Sequence, residues 1–480
     1  MNNPLENISF TSDNIKTDSR QVNPGDVFFA IKGTLHDGHD FVAEAVKKGA
    51  AFAICEHEIP GLPEEGRRKV VLTGDAKEAL GSAAKDVFND PADALSVYGV
   101  TGTNGKTTTV FLIDSILTKA GNPSGLISTV FTKLREGEVR PSSMTTPDLV
   151  TMYRLLSEIR SNGNTSAVIE VSSHALSQGR VRGIGLDSAV FTNLTPEHLD
   201  YHGDMDSYLR DKARIFLNLK PDGLAVLNVD DPLVIGLKKS ETLPEVVTFG
   251  VKGQADVTAK NVELTSGGAE FDLAIKDLGD VTVRTSLIGE HNVSNILAAV
   301  AALSKRGLSL EDMRKGIENA SPPPGRLDEV ERGAPFKVFV DYAHTPNALE
   351  NVLASVRPLA SGRLICVFGC GGDRDKTKRP LMGKIAASLC DNVIVTSDNP
   401  RTEDPLEILK EIEKGMLDSK NYSIIEQRHV AIREALESAE AGDVVIITGK
   451  GHEAYQIVGD QVLPFDDKEV ARGVLAELGY

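Results

Sequence analysis

The sequence predicts an α/β protein of three domains built on largely parallel sheets, and three observations carry that expectation. At 480 residues the chain is too long for one ordinary core and corresponds to about three domains. Short apolar runs alternate with helical patterns over most of its length, the signature of parallel sheets. A glycine-rich stretch, Gly99-Val100-Thr101-Gly102-Thr103-Asn104-Gly105-Lys106-Thr107-Thr108, joins the run Leu95-Ser96-Val97-Tyr98 to a helix-like spacing of Val110, Phe111, Ile113, Ile116 and Leu117.

The first domain is expected at 1–93. Asp18-Ser19-Arg20 and the turn Asn23-Pro24-Gly25-Asp26 lead into a strand at 27–31; helical spacing over 41–50 ends at Gly49, before a strand at 51–55. Asn89-Asp90-Pro91 reads as a linker. The central domain, 94–324, continues past the glycine stretch with strands at 166–171, 188–192 and 223–228. Between 246 and 288, β-rich runs such as Val281-Thr282-Val283 are separated by glycines and predict an antiparallel insert. Ser321-Pro322-Pro323-Pro324-Gly325 is neither helix nor central strand and marks the second boundary. In the third domain, 325–480, strands at 337–340, 364–368, 392–396 and 444–448 alternate with helices. Open parallel sheets bind ligands at the carboxyl ends of their strands, which places Asp341, Arg374, Asn399, Arg401, Gly449 and Glu453 along one rim.

A formal charge of −17 argues against nucleic acid or an anionic membrane as the main partner, because both need a basic face. Anionic substrates must then be met by local cations. Cys55, Cys366, Cys370 and Cys390 are too few and too irregular for a disulfide framework or a zinc site, and Cys366 and Cys370 read as buried free thiols. No stretch has the apolar length of a signal peptide or a membrane span, so a reducing, cytoplasmic setting is expected.

Strand, glycine loop and helix together make a phosphate-binding loop. Backbone N–H groups and the helix N-terminus surround phosphate oxygens, Lys106 neutralises charge, and a Thr107 or Thr108 hydroxyl suits Mg²⁺. A nucleoside triphosphate is the first ligand expected. Val100 stands five positions before Gly105, where the general pattern has glycine. The spelling Gly-Thr-Asn-Gly-Lys-Thr-Thr at 102–108 is narrower, and resembles the ATP loop of the muramyl ligase family. Glu170 ends an apolar run and His198 lies in Thr195-Pro196-Glu197-His198; near the loop they suit a second Mg²⁺, although spacing alone equally permits a strand-end surface glutamate and a helix-cap neighbour.

Further blocks resemble the same family: Glu-Val-Ser-Ser-His-Ala-Leu at 170–176, Gln178 and Arg180, the stretch from Asn193 through His198 to Gly203, Gly-Glu-His-Asn-Val-Ser-Asn at 289–295, Pro324-Gly325-Arg326, and Asp341-Tyr342-Ala343-His344-Thr345-Pro346. The resemblance covers nearly the whole chain. It implies a central ATP domain flanked by a small α/β domain and a Rossmann-like C-terminal domain. It also implies an amide ligase that consumes ATP with Mg²⁺, using Lys106, Glu170, His198 and Lys212. Lys212 reads from periodicity as a solvated helix lysine; the resemblance makes it a lysine that CO₂ converts to a carbamate, a metal ligand beside Thr107, Glu170 and His198.

The resemblance further assigns nucleotide contacts to 102–108 and to Asn295, Arg326, Asp341 and His344, with His344 also readable as a packed loop histidine. It assigns UDP-N-acetylmuramoyl-L-alanyl-D-glutamate to Ser19 with Arg20, Thr145, Thr146, Ser172, Gln178 and Arg180. It assigns the incoming amino acid to Arg374, Asp398-Asn399-Pro400-Arg401, Gly449 and Glu453. Two arginines ask for two carboxylates and Glu453 asks for an ammonium, which fits meso-diaminopimelate and leaves an arginine unpaired with lysine. Neither nucleic acid nor membrane insertion is expected, and the chain is expected to be a monomer. Glu197, Asn347 and Gln427 depart from the aspartates usual at those places, and none is an expected ligand. Alternatives are a lysine-adding relative, a folyl-polyglutamate synthetase, a P-loop ATPase switch and a silent nucleotide-binding scaffold.

Overall fold

The computed structural model describes residues 5–6, 8–33, 36–240, 243–265, 267–330 and 333–480. Its strands fall into three main sheets and a separate hairpin. The first sheet is all parallel: β1 (Ile15–Lys16), β2 (Val27–Phe29), β3 (Phe52–Cys55) and β4 (Val70–Leu72), in that order. One of its faces, with Val27, Phe29 and Ile54, shares a core with the central sheet, so the first unit is docked by apolar burial.

The central sheet has eleven strands. They are β5 (Ser96–Thr101), β6 (Ser124–Ile127), β7 (Phe131–Arg135), β8 (Glu138–Pro141), β9 (Ser166–Glu170), β10 (Leu186–Phe191), β11 (Leu219–Asn228), β12 (Glu245–Gly250), β13 (Val257–Thr265), β14 (Gly268–Ile275) and β15 (Gly279–Thr285). The spatial order is β15-β14-β13-β12-β11-β10-β5-β9-β6-β7-β8. Alternation along β5 explains why the sheet is covered on both sides. Val97 points into one core with helix Leu149–Ser161, while Tyr98 and Val100 point into another with helices Lys106–Lys119 and Glu290–Leu303. Helix Glu290–Leu303 carries the run 298–302 of buried small and apolar residues and is sunk almost whole.

Two expectations need correction. Gly99, Val100 and Thr101 belong to β5, so the loop proper begins at Gly102. The segment from 246 is not all antiparallel: β12 pairs in parallel with both β11 and β13, and only β13 to β15 run antiparallel. The apolar side chains of β12, Val247 and Phe249, are buried like those of an interior parallel strand. The antiparallel hairpin β7-β8 at the opposite edge is short and charged, which hid its period.

The third sheet is β16 (Asp328–Glu329), β17 (Lys337–Asp341), β18 (Leu364–Phe368), β19 (Asn392–Val395), β20 (Tyr422–Ile424) and β21 (Val444–Thr448), ordered β16-β17-β21-β18-β19-β20. Cores lie on both faces, and the parallel strands β17, β21, β18 and β19 end on one rim as expected. Hairpin β22 (Tyr455–Val458) and β23 (Gln461–Pro464) stands beside that rim. All four cysteines are free and buried. Among the described residues, no helix is long and apolar enough to cross a membrane.

Candidate functional site

Glycine is obligatory at two points of the loop. A Cβ on Gly102, at φ 147°, would lie 1.8 Å from Thr192 Oγ1, and one on Gly105, at φ 83°, 2.1 Å from Asn295 Oδ1. The loop is clamped by the segment after β10: Thr192 Oγ1 donates to Asn104 O at 2.6 Å and Asn104 N donates to Asn193 Oδ1 at 2.9 Å. Lys106 Nζ donates to the carbonyls of Gly102 and Thr103 at 2.9 and 2.7 Å. Lys212 Nζ reaches the same Gly102 carbonyl at 2.6 Å, above the ring of Tyr208.

Lys212 is 1% exposed, which overturns the solvated reading. Helix Met205–Ala213 packs on helix Ser173–Gln178 and turns Tyr208 and Lys212 inward. Burial, reinforced by the nearby Lys106 charge, pushes the Lys212 ammonium well below the ordinary lysine range. A lowered pKa favours the neutral amine, the form that reacts with CO₂.

Glu170 is likewise buried rather than a surface residue. The parallel register places it beside Val100. Its Oε1 accepts from Thr107 Oγ1 at 3.0 Å and its Oε2 from Thr129 N at 3.0 Å. Arg326 Nη2 also reaches Thr107 Oγ1, at 3.2 Å. Hydroxyl and carboxylate oxygens are the hard donors that Mg²⁺ takes. His198 stands with a different carboxylate: its Nε2 lies 3.7 Å from Glu197 Oε1, and His344 Nε2 lies 3.5 Å from the same oxygen. Burial lowers His198 to about 4. Burial opposes ionisation of Glu197, yet His344, His198 and Lys106 together hold its carboxyl well below the usual range. Among the described residues, no three His, Cys, Asp or Glu side chains form a metal-holding group.

A cavity of about 790 Å³ lies between the loop and the C-terminal unit. Asn104, Gly105, Thr108, Asn295, Arg326 and Asp341 line it, six of the residues expected to meet the nucleotide. Asp341, at the end of β17, accepts from Leu327 N at 2.7 Å and Ala343 N at 2.8 Å; burial raises its carboxyl despite Arg326. His344 does not line the cavity: its ring bonds Tyr342 O and faces Glu197. Two further bonds cross between the units, Asn104 Nδ2 to Asn347 Oδ1 at 3.0 Å and His291 Nδ1 with Ser355 Oγ at 3.2 Å.

The residues expected to hold the UDP substrate divide into two places. Thr146, Ser172, Gln178 and Arg180 form one cluster: Thr146 Oγ1 donates to Glu170 O and accepts from Ser172 N, and Arg180 grips Thr146 O and Gln178 Oε1. Thr145 is tied to Thr129. Ser19 is in the first unit, bonded to Glu44 and Lys48, and Arg20 is paired with Asp18. A second cavity, about 910 Å³, lies between first and central units; Lys32, Lys77 and Arg182 line it and none of those seven residues does.

At the rim of the third sheet, the arginines meet around Gly371, where a Cβ would lie 2.9 Å from Arg401 Nη1 and 3.8 Å from Arg374 Cγ. Arg374 is exposed; Arg401, at φ 54°, donates to Gly372 O at 2.7 Å. Asn399 Nδ2 donates to Glu453 Oε2 at 2.9 Å. Gly449, at φ 114°, leaves room for Asp398, since a Cβ would sit 2.7 Å from its Oδ2. Underneath, fully buried Arg428 pairs bidentately with Asp467 at 2.7 Å and donates to the carbonyls of Ser397 and Thr448. Glu453 already has an ammonium partner, Lys450, at 3.2 Å.

Sequence reasoning missed Glu197, Asn347 and Lys450. The first two were visible only as departures from aspartate, and Lys450 only as a member of the block Gly449-Lys450-Gly451-His452-Glu453, with no role assigned to it. Gln427 caps helix Arg428–Glu437 with no side-chain bond, so its departure costs a cap and touches no site.

The chain matches three family models: Mur ligase family, catalytic domain over 11–87; Mur ligase middle domain over 100–303; and Mur ligase, glutamate ligase domain over 325–451. A UDP-N-acetylmuramoyl-L-alanyl-D-glutamate–2,6-diaminopimelate ligase of Geobacillus thermodenitrificans is 44% identical over 470 residues, covering 96% of this chain and 94% of the relative. One of Listeria monocytogenes is 42% identical, covering 95% and 93%. A solved structure of such a ligase aligns with TM-score 0.68 at 33% identity, over 98% of this chain and 95% of that one. A folylpolyglutamate synthase of Mycobacterium tuberculosis, at TM-score 0.65 and 20% identity over 83% of this chain and 94% of its own, shares the fold. Three family models in sequence order and relatives matched end to end leave one conclusion: the chain belongs to the Mur ligase family.

Proposed function

We propose that this chain is an ATP-dependent amide ligase that joins meso-diaminopimelate to the D-glutamyl γ-carboxylate of UDP-N-acetylmuramoyl-L-alanyl-D-glutamate in peptidoglycan precursor synthesis. The observation that carries the reading is that Arg374 and Arg401 flank Gly371, and Glu453 bonds the neighbouring Asn399, on one rim of a chain 44% identical to a diaminopimelate ligase over 96% of its length. We place its domains at 1–93, 94–324 and 325–480, and its setting in the cytoplasm, where ATP and nucleotide-linked precursors are found.

A free carboxylate is a poor acyl donor, because oxide would have to leave. Its oxygen attacks the γ-phosphorus of ATP, ADP leaves, and the acyl phosphate formed is attacked by the amine with loss of phosphate. The protein's part is positioning and charge neutralisation. Loop N–H groups and Lys106 meet the phosphates. The cavity lined by Asn295, Arg326 and Asp341 takes the nucleoside, and the Thr146–Ser172–Arg180 cluster takes the dipeptide end of the acceptor. Ser19 serves the uridine diphosphate end. Thr107, Glu170, His198 and Lys212 as its carbamate are the groups that would hold Mg²⁺, which when bound offsets phosphate charge. Arg374, Asp398, Asn399, Arg401 and Glu453 orient diaminopimelate.

The test is phosphate release and product mass from ATP, Mg²⁺ and the UDP-dipeptide, in parallel with diaminopimelate, lysine or no amino acid. Release with a tripeptide mass only in the first tube supports the reading. Activity only with lysine overturns the arginine argument, and release in every tube without product makes the chain an ATPase. Wild-type protein equilibrated with ¹³C-bicarbonate should show a carbamate signal that is absent from Lys212→Arg; its absence from both overturns the carbamate assignment.

A further inference from the structure

We propose that Lys450 is a buried positioning and specificity-determining cation of the amino-acid pocket, holding Glu453 and Asn399 as one unit and disfavouring amino acids of net positive charge. The inference rests on the reading of that rim as the diaminopimelate pocket.

Lys450 lies two residues past the end of β21, in the turn that follows it, and its side chain is fully buried. Burying an ammonium is costly unless it is paired and hydrogen-bonded. Its polar contacts all belong to the rim. Nζ donates to Asn399 Oδ1 at 3.2 Å and to Glu453 Oε2 at 3.2 Å, and stands 5.5 Å from the ring centre of Tyr455. Among the described residues, no polar contact runs from it to the core beneath. An apolar side chain would suit this buried position better if stability alone were at stake.

Two consequences follow from the bond pattern. First, the Asn399 amide is fixed in one orientation. Its oxygen accepts from Lys450 and from Ile457 N at 2.9 Å, so its nitrogen is turned to Glu453. Second, Oε2 of Glu453 is occupied by both Asn399 and Lys450, while among the described residues Oε1 meets only the Tyr342 hydroxyl, at a long 3.5 Å. That leaves Oε1 as the acceptor for a substrate ammonium. Lys450 also adds positive charge to a pocket that already holds Arg374 and Arg401. Diaminopimelate, with two carboxylates and two ammonium groups, is neutral overall, whereas lysine carries a net positive charge and is repelled.

Lys450→Met and Lys450→Gln are compared with wild type for KM and kcat with diaminopimelate and with lysine, with ADP affinity as the check on fold. In Lys450→Met, KM for diaminopimelate should rise on the order of tenfold with kcat changed far less, and the diaminopimelate-to-lysine ratio of kcat/KM should fall on the order of tenfold. Lys450→Gln keeps a donor toward Asn399 without the charge; it should recover most of the KM and keep the lowered ratio. If Lys450→Met does not bind ADP, the ratio in Lys450→Gln decides. An unchanged ratio in a variant that binds ADP normally, with wild type using diaminopimelate, overturns the role of Lys450 alone. A wild type that does not use diaminopimelate overturns the underlying reading with it.

Discussion

Asn104 of the phosphate loop donates its side-chain amide to Oδ1 of Asn347, 243 residues further along the chain, at 3.0 Å. The same oxygen accepts from Asn351 Nδ2, one turn on in helix Pro346–Val356. One acceptor therefore couples the nucleotide loop of the central unit to the first helix of the C-terminal unit.

Asn347→Ala removes that acceptor and should raise KM for ATP several-fold, about 1 kcal/mol, with little change in melting temperature. Asn347→Asp keeps an acceptor in place and should stay within about twofold of wild type. Steady-state kinetics with varied ATP check both.

Lys106→Ala should abolish ligation, lowering kcat on the order of 10³-fold, because no other side chain of the loop carries positive charge. Phosphate release and product mass measure it. Unchanged turnover would sink the phosphate-loop assignment.

Arg401→Ala should lose selectivity for diaminopimelate over lysine by about 100-fold, since the second carboxylate loses its charged partner. The readout is the ratio of kcat/KM for the two amino acids. An unaltered ratio would refute the pocket.

Glu403 bonds Arg379 through both oxygens at 3.0 Å and accepts from Asp373 N, anchoring the loop that carries Arg374 to the segment after Arg401. The Arg379 bonds, against a smaller opposing effect of burial, lower Glu403 from 4.5 to about 2. A carboxylate whose folded pKa is depressed stabilises the fold fully above its unfolded value. That contribution fades as pH falls from about 4.5 toward 2. Glu403→Gln should therefore melt lower than wild type at pH 7, and the gap should narrow steadily below pH 4.5. Thermal unfolding at pH 7, 4 and 3 tests the sign.

What the sequence disclosed follows the range of the interactions. The phosphate loop was legible because strand, glycines, lysine and helix are consecutive, and the rim of the third sheet because parallel strands end together. Lys212 was misread by periodicity, since a short polar helix gives no sign of which turn its neighbour will cover. Glu197 takes its meaning from His344 across the unit boundary, and Asn347 from Asn104 in the same way. Lys450 was overlooked because burial at a strand end depends on the loop at 398–401 and on hairpin β22-β23, neither of which has a period. The parallel β12 was lost for a related reason: its partners are chosen by the sheet and not by its own pattern.

The pairing of Val100 with Glu170 in adjacent parallel strands bears on how this scaffold can be altered. Glu170 is set against the phosphate loop by a backbone ladder in the middle of an eleven-stranded sheet, and a shift of one residue would turn it to the opposite face. In the proposed reading, the choice of amino acid rests instead on three connections at the rim of another sheet, around 371–376, 398–401 and 449–458. On that reading, energy coupling and substrate choice occupy separable parts of the chain. Redesign of the amino-acid donor is accordingly a matter of exchanging three loops while leaving the motor strands untouched.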